Sequence, residues 1–151
     1  MALISQRKLL QIIDDDRIKA AIVAAEKLTS GEIRVSVSRF FWGNVRRAAS
    51  RAFTRLGMRA TSDRNGILFF VVPSRRRFAI IGDEGIHNKV GQEFWEKLVV
   101  AMSEDFQKGD FNAGLQKGIA QAGRSLAEHF PYQGEKDVNE LSDDIDFGNK
   151  K

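Results

Sequence analysis

The chain has no cysteine, only two histidines, His87 and His129, and only two prolines, Pro73 and Pro131. Without cysteine there is no disulfide framework, no thiol nucleophile and no thiolate metal site. Two histidines do not make a multi-histidine zinc centre within one chain. No apolar run approaches the ~20 residues needed to span a bilayer. Between Met1 and Leu10, Arg7 and Lys8 interrupt a short amphipathic stretch. That stretch lacks the apolar core and small-residue cleavage site of a signal peptide. The cytoplasm is the expected compartment, with no membrane span.

What is present is an ordinary globular mixture, 42% hydrophobic and 29% charged over 151 residues, which fits one domain with its own core. The net charge is only +4, but it is unevenly spread. Arginines crowd the stretch from Arg34 to Arg77, and acids crowd Glu135 to Asp146. Such asymmetry suggests either an anionic partner or a tail that folds back on its own basic face.

Periodicity supplies the elements. Ser5 to Ile13 reads as helical. Asp14, Asp15 and Asp16 then cap and open a helix whose inward positions are Ile18, Ile22, Ala25 and Leu28. Ser30-Gly31 stops it. Glu32 to Ser38 alternates as a strand, with Ile33, Val35 and Val37 on one side. Gly43-Asn44 opens a helix over Val45 to Leu56, and Met58 to Asn65 is a polar loop. Gly66 to Val72 is apolar on both faces, as a covered central strand must be. Pro73 to Arg76 turns the chain into a returning strand, Arg77 to Gly82. A loop over Gly82 to Val90 leads to helices at Gln92–Phe106 and Phe111–Phe130, separated by Lys108-Gly109-Asp110. The expected architecture is a three-layer α/β/α sandwich around a short mixed central sheet. The domain is expected over residues 1–133, with an acidic, partly ordered tail over 134–151. A monomer is expected.

Two constellations carry chemistry. The first is acidic. Glu32 opens the first strand, Asp63 and Asn65 lie in the loop before the central strand, and Asp83 and Glu84 follow the third. The expected topology puts all three loops at one end of the sheet. Oxygen ligands without histidine suit calcium or magnesium. Alternatively Asp63 and Asn65 cap turns, while Asp83 and Glu84 are solvated. The second is basic. Arg47, Arg51, Arg55 and Arg59 recur every four residues with Arg46 beside them, a ridge suited to phosphate groups or an acidic protein surface. Such a ridge is also an ordinary solvated helix face, or one that Asp143, Asp144 and Asp146 cover. The modest charge and the lack of a recognition motif argue against nucleic acid.

Arg75-Arg76-Arg77 reads as an exposed hairpin end. Phe40-Phe41-Trp42 reads as an aromatic cluster closing the core under a loop, or as a contact lip. His87 stands beside the acidic loop, and His129 near a helix C-terminus.

Four segments resemble the TPM-domain family: Thr29-Ser30-Gly31-Glu32-Ile33-Arg34-Val35, Asp63-Arg64-Asn65-Gly66-Ile67-Leu68-Phe69, Ile80-Ile81-Gly82-Asp83-Glu84-Gly85-Ile86, and Phe106-Gln107-Lys108-Gly109-Asp110-Phe111 with Gly114. The resemblance runs from about Asp14 to Pro131 and is to the short, stand-alone branch, without the leader or C-terminal membrane helix of the longer one. It implies the α/β/α sandwich and divalent-cation binding in loops at one sheet edge. It also implies weak acid phosphatase activity by analogy with some plant members. The expected function is a divalent-cation-binding interaction module using calcium or magnesium. The alternatives are a metal-assisted acid phosphatase, with Asp83 or Asp63 as base, and an electrostatic binder of an anionic partner.

Overall fold

The computed structural model describes residues 6–39, 43–134 and 140–148. The aromatic cluster Phe40-Phe41-Trp42 lies outside the described residues. Two helices, α1 (Gln6–Ile12) and α2 (Asp15–Glu26), precede strand β1 (Glu32–Val37). Helix α3 (Val45–Arg55) crosses to β2 (Gly66–Val72), and a 3-10 turn over Pro73–Arg75 leads to β3 (Arg77–Gly82). The chain ends its regular structure with α4 (Glu84–His87), α5 (Gln92–Gln107) and α6 (Phe111–Ala127).

The sheet order is β1-β2-β3, with β1 parallel to β2 and β3 antiparallel to it. Glu32 pairs with Gly66, and Ile67 pairs with Gly82, so β1 and β2 begin where β3 ends. Ile33, Val35 and Val37, with Ile67, Phe69 and Val71, face a large core built by α1, α2, α5 and α6. Leu68, Phe70 and Val72 face the opposite way, onto Ala49, Ala52 and Phe53 of α3. The three-layer sandwich with a mixed central sheet is therefore the observed architecture. The doubly apolar β2 is buried at every position because it has helices on both sides.

Local chemistry accounts for the element ends. Asp14 caps α2 by accepting from the Arg17 N–H, and Asn44 caps α3 through the Arg47 N–H. Helix α6 stops at Ala127, short of the expected Phe130. The Phe130 carbonyl instead accepts from the Ser30 N–H and the Thr29 hydroxyl, tying the chain beyond α6 to the start of β1. Leu28 is exposed rather than inward, because α2 ends at Glu26 and Leu28 falls out of helical phase. Met58, expected in a polar loop, is fully buried against the α3 side of the sheet. The stretch read as loop after β3 contains α4, whose N-cap is Asp83. Four residues are too few for periodicity to reveal a helix.

Residues 140–148 pack along β1. The Val37 N–H donates to the Asp146 carbonyl (2.7 Å) and the Asp146 N–H donates to Val35 (2.9 Å), so the tail adds a short parallel bridge to the sheet edge. Ile145 enters the large core and Leu141 packs on the α3 side. The acidic stretch thus covers an edge that would otherwise present unpaired backbone groups. Among the described residues no helix is long and apolar enough to cross a membrane.

Candidate functional site

At the end of the sheet where β1 and β2 begin, the five residues expected to form an acidic hollow divide into two groups. Asp83 is 4% exposed and already satisfied. Its carboxylate takes two bonds from Arg64, Nε to Oδ2 at 2.8 Å and Nη2 to Oδ1 at 3.0 Å, and caps α4 through the Glu84 N–H. Glu84 is exposed and also meets Arg64, at 3.4 Å. Asp63 is exposed. Arg64 sits at φ 51° and its carbonyl accepts the Gly85 N–H, so the two loops are strapped together around an arginine. Asp83 is thus not the solvated loop residue of the alternative reading: it is buried and caps α4.

Glu32 belongs to the other group. It lies on β1 while Asp83 follows β3, with β2 between them, which puts their backbones about 10 Å apart. Glu32 is 3% exposed, and its two oxygens accept the Glu140 and Leu141 N–H groups of the tail. Glu26, at the end of α2, reaches the Ile33 N–H with Oε2 at 2.8 Å. Asp143 arrives from the tail. These three carboxyls line one hollow of about 190 Å³ with Thr29 and Gly31. Burial pushes the Glu26 carboxyl up to about 9, helped by a hydrogen bond shared with Asp143 and by the charge on that residue. Burial likewise raises Glu32 to about 7, partly offset by the two tail N–H bonds.

Glu26 and Asp143 are two carboxyls competing for one positive charge. With both ionised, Asp143 Oδ1 is buried with no donor. Next to Glu32, whose N–H donates to the Asn65 carbonyl, Asn65 is 1% exposed and its side-chain Oδ1 is likewise buried without a donor. Orphaned buried acceptors normally cost 1–3 kcal/mol each. A proton on Glu26 shared with Asp143 satisfies the pair, and a cation would do the same. The donor set is all oxygen, which fits calcium or magnesium rather than a soft metal. Among the described residues no three or more His, Cys, Asp or Glu side chains are grouped so that together they could hold a metal ion. An ion here would therefore keep much of its water, as magnesium does on one or two carboxylates. Glu26 was not singled out in the sequence, and Asp143 was read there only as a cover for the arginine ridge. Glu26 looks like any helix-surface acid, and its partner is more than a hundred residues away.

The TPM domain family model matches residues 3–125. The chain belongs to the TPM-domain family. Among solved structures, this TPM domain is similar to the BA42 protein of the psychrophilic bacterium Bizionia argentinensis, with TM-score 0.84 and 37% identity over 92% of this chain and 94% of that one. The N-terminal domain of the cg2496 protein of Corynebacterium glutamicum (TM-score 0.58, 14% identity, 90% and 79% covered) shares the fold. So does the N-terminal domain of a protein from P. gingivalis (TM-score 0.62, 13% identity, 89% and 99% covered). A comparison with curated proteins finds no match.

The arginine ridge of this TPM domain runs along α3, from beyond the end of β1 back toward the start of β2, and is less uniform than its spacing suggests. Arg47 and Arg51 are exposed on α3. Arg55 is paired with Asp146, Nη2 to Oδ2 at 2.8 Å and Nη1 to Oδ1 at 3.3 Å. Arg59 leaves the ridge: it bonds the Thr54 hydroxyl and lies over the Phe53 ring, 5.3 Å from its centre. Of the tail acids proposed to cover the ridge, only Asp146 does so. Asp144 pairs with Lys19, and Asp143 turns to Glu26. His87 stacks on Trp95 rather than joining the acidic group.

Proposed function

We propose that this TPM domain is a divalent-cation-binding interaction module in which calcium or magnesium bridges Glu26 and Asp143, with Glu32 and Asn65 beside them, and so clamps the tail to the start of β1. The observation that carries this reading is the Glu26–Asp143 pair. The two carboxyls meet in one hollow, burial raises Glu26, Asp143 Oδ1 is buried without a donor, and a cation would take the place of the Glu26 proton. Cation binding at such a pair expels protons. Asp83 and Glu84 contribute less, since Arg64 already supplies their positive charge.

A metal-assisted phosphatase needs cation and anion cradle at one place, because the metal must polarise the same phosphoryl group that the arginines hold. Glu32 and Ser38 stand at opposite ends of β1, six residues or ~20 Å apart. Arg51 and Arg55 border a groove with Ser36 and Ser38 instead of the carboxyl hollow, and Arg64 is engaged by Asp83 and Glu84, which is why the binding reading is preferred to the enzymatic one.

The test is a calcium and a magnesium titration followed residue by residue by NMR. Saturable shifts concentrated at Glu26, Glu32, Asn65 and Asp143, with release of protons, are expected. Small shifts spread evenly over the surface acids would refute the reading.

A further inference from the structure

Helix α3 packs mainly over β2 and β3 and leaves β1 less covered. Its residues facing the less covered side are the small Ala48 and Ala52, which leave space where a larger side chain would fill it. The result is a groove between α3 and the far end of β1. It comprises two adjoining hollows of about 530 Å³ and 240 Å³ that share Ser38, Ala48, Arg51 and Phe70. The volume suits a small organic molecule. The groove opens at the carboxyl ends of the parallel strands, where ligands of open α/β sheets characteristically bind.

Its lining has two characters. The floor is apolar, formed by Ala48, Ala52 and Phe70. The rim is basic and hydroxylic: Arg39, Arg51 and Arg55 surround the larger hollow, Arg75 borders the smaller, and Ser36 and Ser38 are within it. Among the described residues no acidic side chain lines either hollow, and Asp146 stands behind the rim, bonded to Arg55 and Ser36. Among the described residues Arg51 makes no hydrogen bond or ion pair. Its neighbour Arg55 already holds an anion, the Asp146 carboxylate, by two guanidinium bonds. The chain thus displays on itself the recognition that the next arginine along the helix is placed to repeat.

We infer that this groove is a binding site for an amphiphilic organic anion, a phosphate or carboxylate head held by Arg51 with an apolar body lying on the alanine and Phe70 floor. The site is separate from the acidic end of the sheet and does not rest on cation binding there. The two lining characters require both parts of the ligand: the arginine rim selects the charged head, and the floor rewards removing an alkyl or ring surface from water.

The experiment is an NMR titration of the full chain with octyl phosphate below its micelle concentration, beside inorganic phosphate and anionic phospholipid vesicles. Octyl phosphate is expected to shift Ser38, Ala48, Arg51 and Phe70 and to bind at least tenfold more tightly than inorganic phosphate. Arg51→Gln, an exposed change that leaves the core intact, is expected to weaken it at least fivefold. Ala48→Leu fills the floor without altering charge and is expected to weaken octyl phosphate while leaving inorganic phosphate unchanged. Equal affinities for the two phosphates overturn the proposal, as do shifts scattered over distant cations such as Arg7, Lys117 and Arg124. Binding to vesicles without binding the monomer also overturns it, because the surface then reads a membrane rather than a single molecule.

Discussion

Where β1 and β2 begin, three carboxyls from α2, β1 and the tail line a small hollow, and burial raises two of them. Where the same strands finish, arginines and serines line a wider groove whose floor is apolar. The two ends are built from one sheet, and the tail touches both: Asp143 adds negative charge at the first, and Asp146 neutralises Arg55 at the second. The contrast shows that local burial and pairing, rather than a net charge of +4, decide what each end can bind. At the acidic end burial raises two of the three carboxyls, and Lys27 lines the same hollow. At the basic end one cation is satisfied internally and its neighbour is not.

The comparison can be broken most severely at the acidic end. A Cβ at Gly85 would lie 2.1 Å from the Asp63 carbonyl oxygen and 2.6 Å from that of Arg64, both backbone. Gly85→Ala is therefore expected to push the two strapped loops apart and to cost about 3 kcal/mol in denaturant unfolding. Asp83→Asn removes the charge facing Arg64 and weakens the α4 cap. It is expected to cost about 2 kcal/mol while leaving calcium and magnesium affinity within twofold, since the arginine already occupied that carboxylate. A large loss of cation affinity there would move the site from Glu26 to Asp83.

Glu26→Gln sharpens the contrast without disturbing the fold, because the amide still accepts from Ile33 and can donate to Asp143. It is expected to weaken cation binding tenfold or more, about 1.4 kcal/mol by calorimetry, and to flatten the pH dependence of stability. The sign follows from the raised carboxyls. Glu26 and Glu32 hold their protons more tightly in the folded chain than in the unfolded one, where 4.5 is usual. Their contribution is fully present below about 4.5 and is lost as the pH rises through about 7 for Glu32 and about 9 for Glu26. At the basic end the smallest effect is expected. Asp146→Asn weakens a partly exposed pair, costing about 1 kcal/mol in thermal unfolding.

Much of this arrangement was legible in the sequence. The apolar run Gly66–Val72 and the return over Arg77–Gly82 fall where the hydrophobic pattern places them, because a fully covered strand and a proline-initiated turn leave strong local signals. The caps Asp14 and Asn44 were equally readable. The tail was not. Leu141 and Ile145 are isolated among acids, and their value comes from a sheet edge more than a hundred residues away. The placement of the acidic residues, though not their pairing, was readable. Glu32 and Asn65 occupy the expected end, but Arg64, seen only as a neighbour in the chain, turns out to neutralise Asp83 and Glu84. The arginine spacing marked the helix face correctly, yet spacing along a helix cannot reveal that Arg55 meets Asp146 or that Arg59 folds onto Phe53.

The central claim is that a cation and a proton compete for the Glu26–Asp143 pair. The most direct measurement is the thermal unfolding midpoint with and without calcium or magnesium at saturating concentration, at pH 5 and at pH 9. The account predicts a rise of about 5 °C at pH 9, where the proton is leaving, and little change at pH 5, where it is bound. A rise of equal size at both pH values, or none at either, would contradict it.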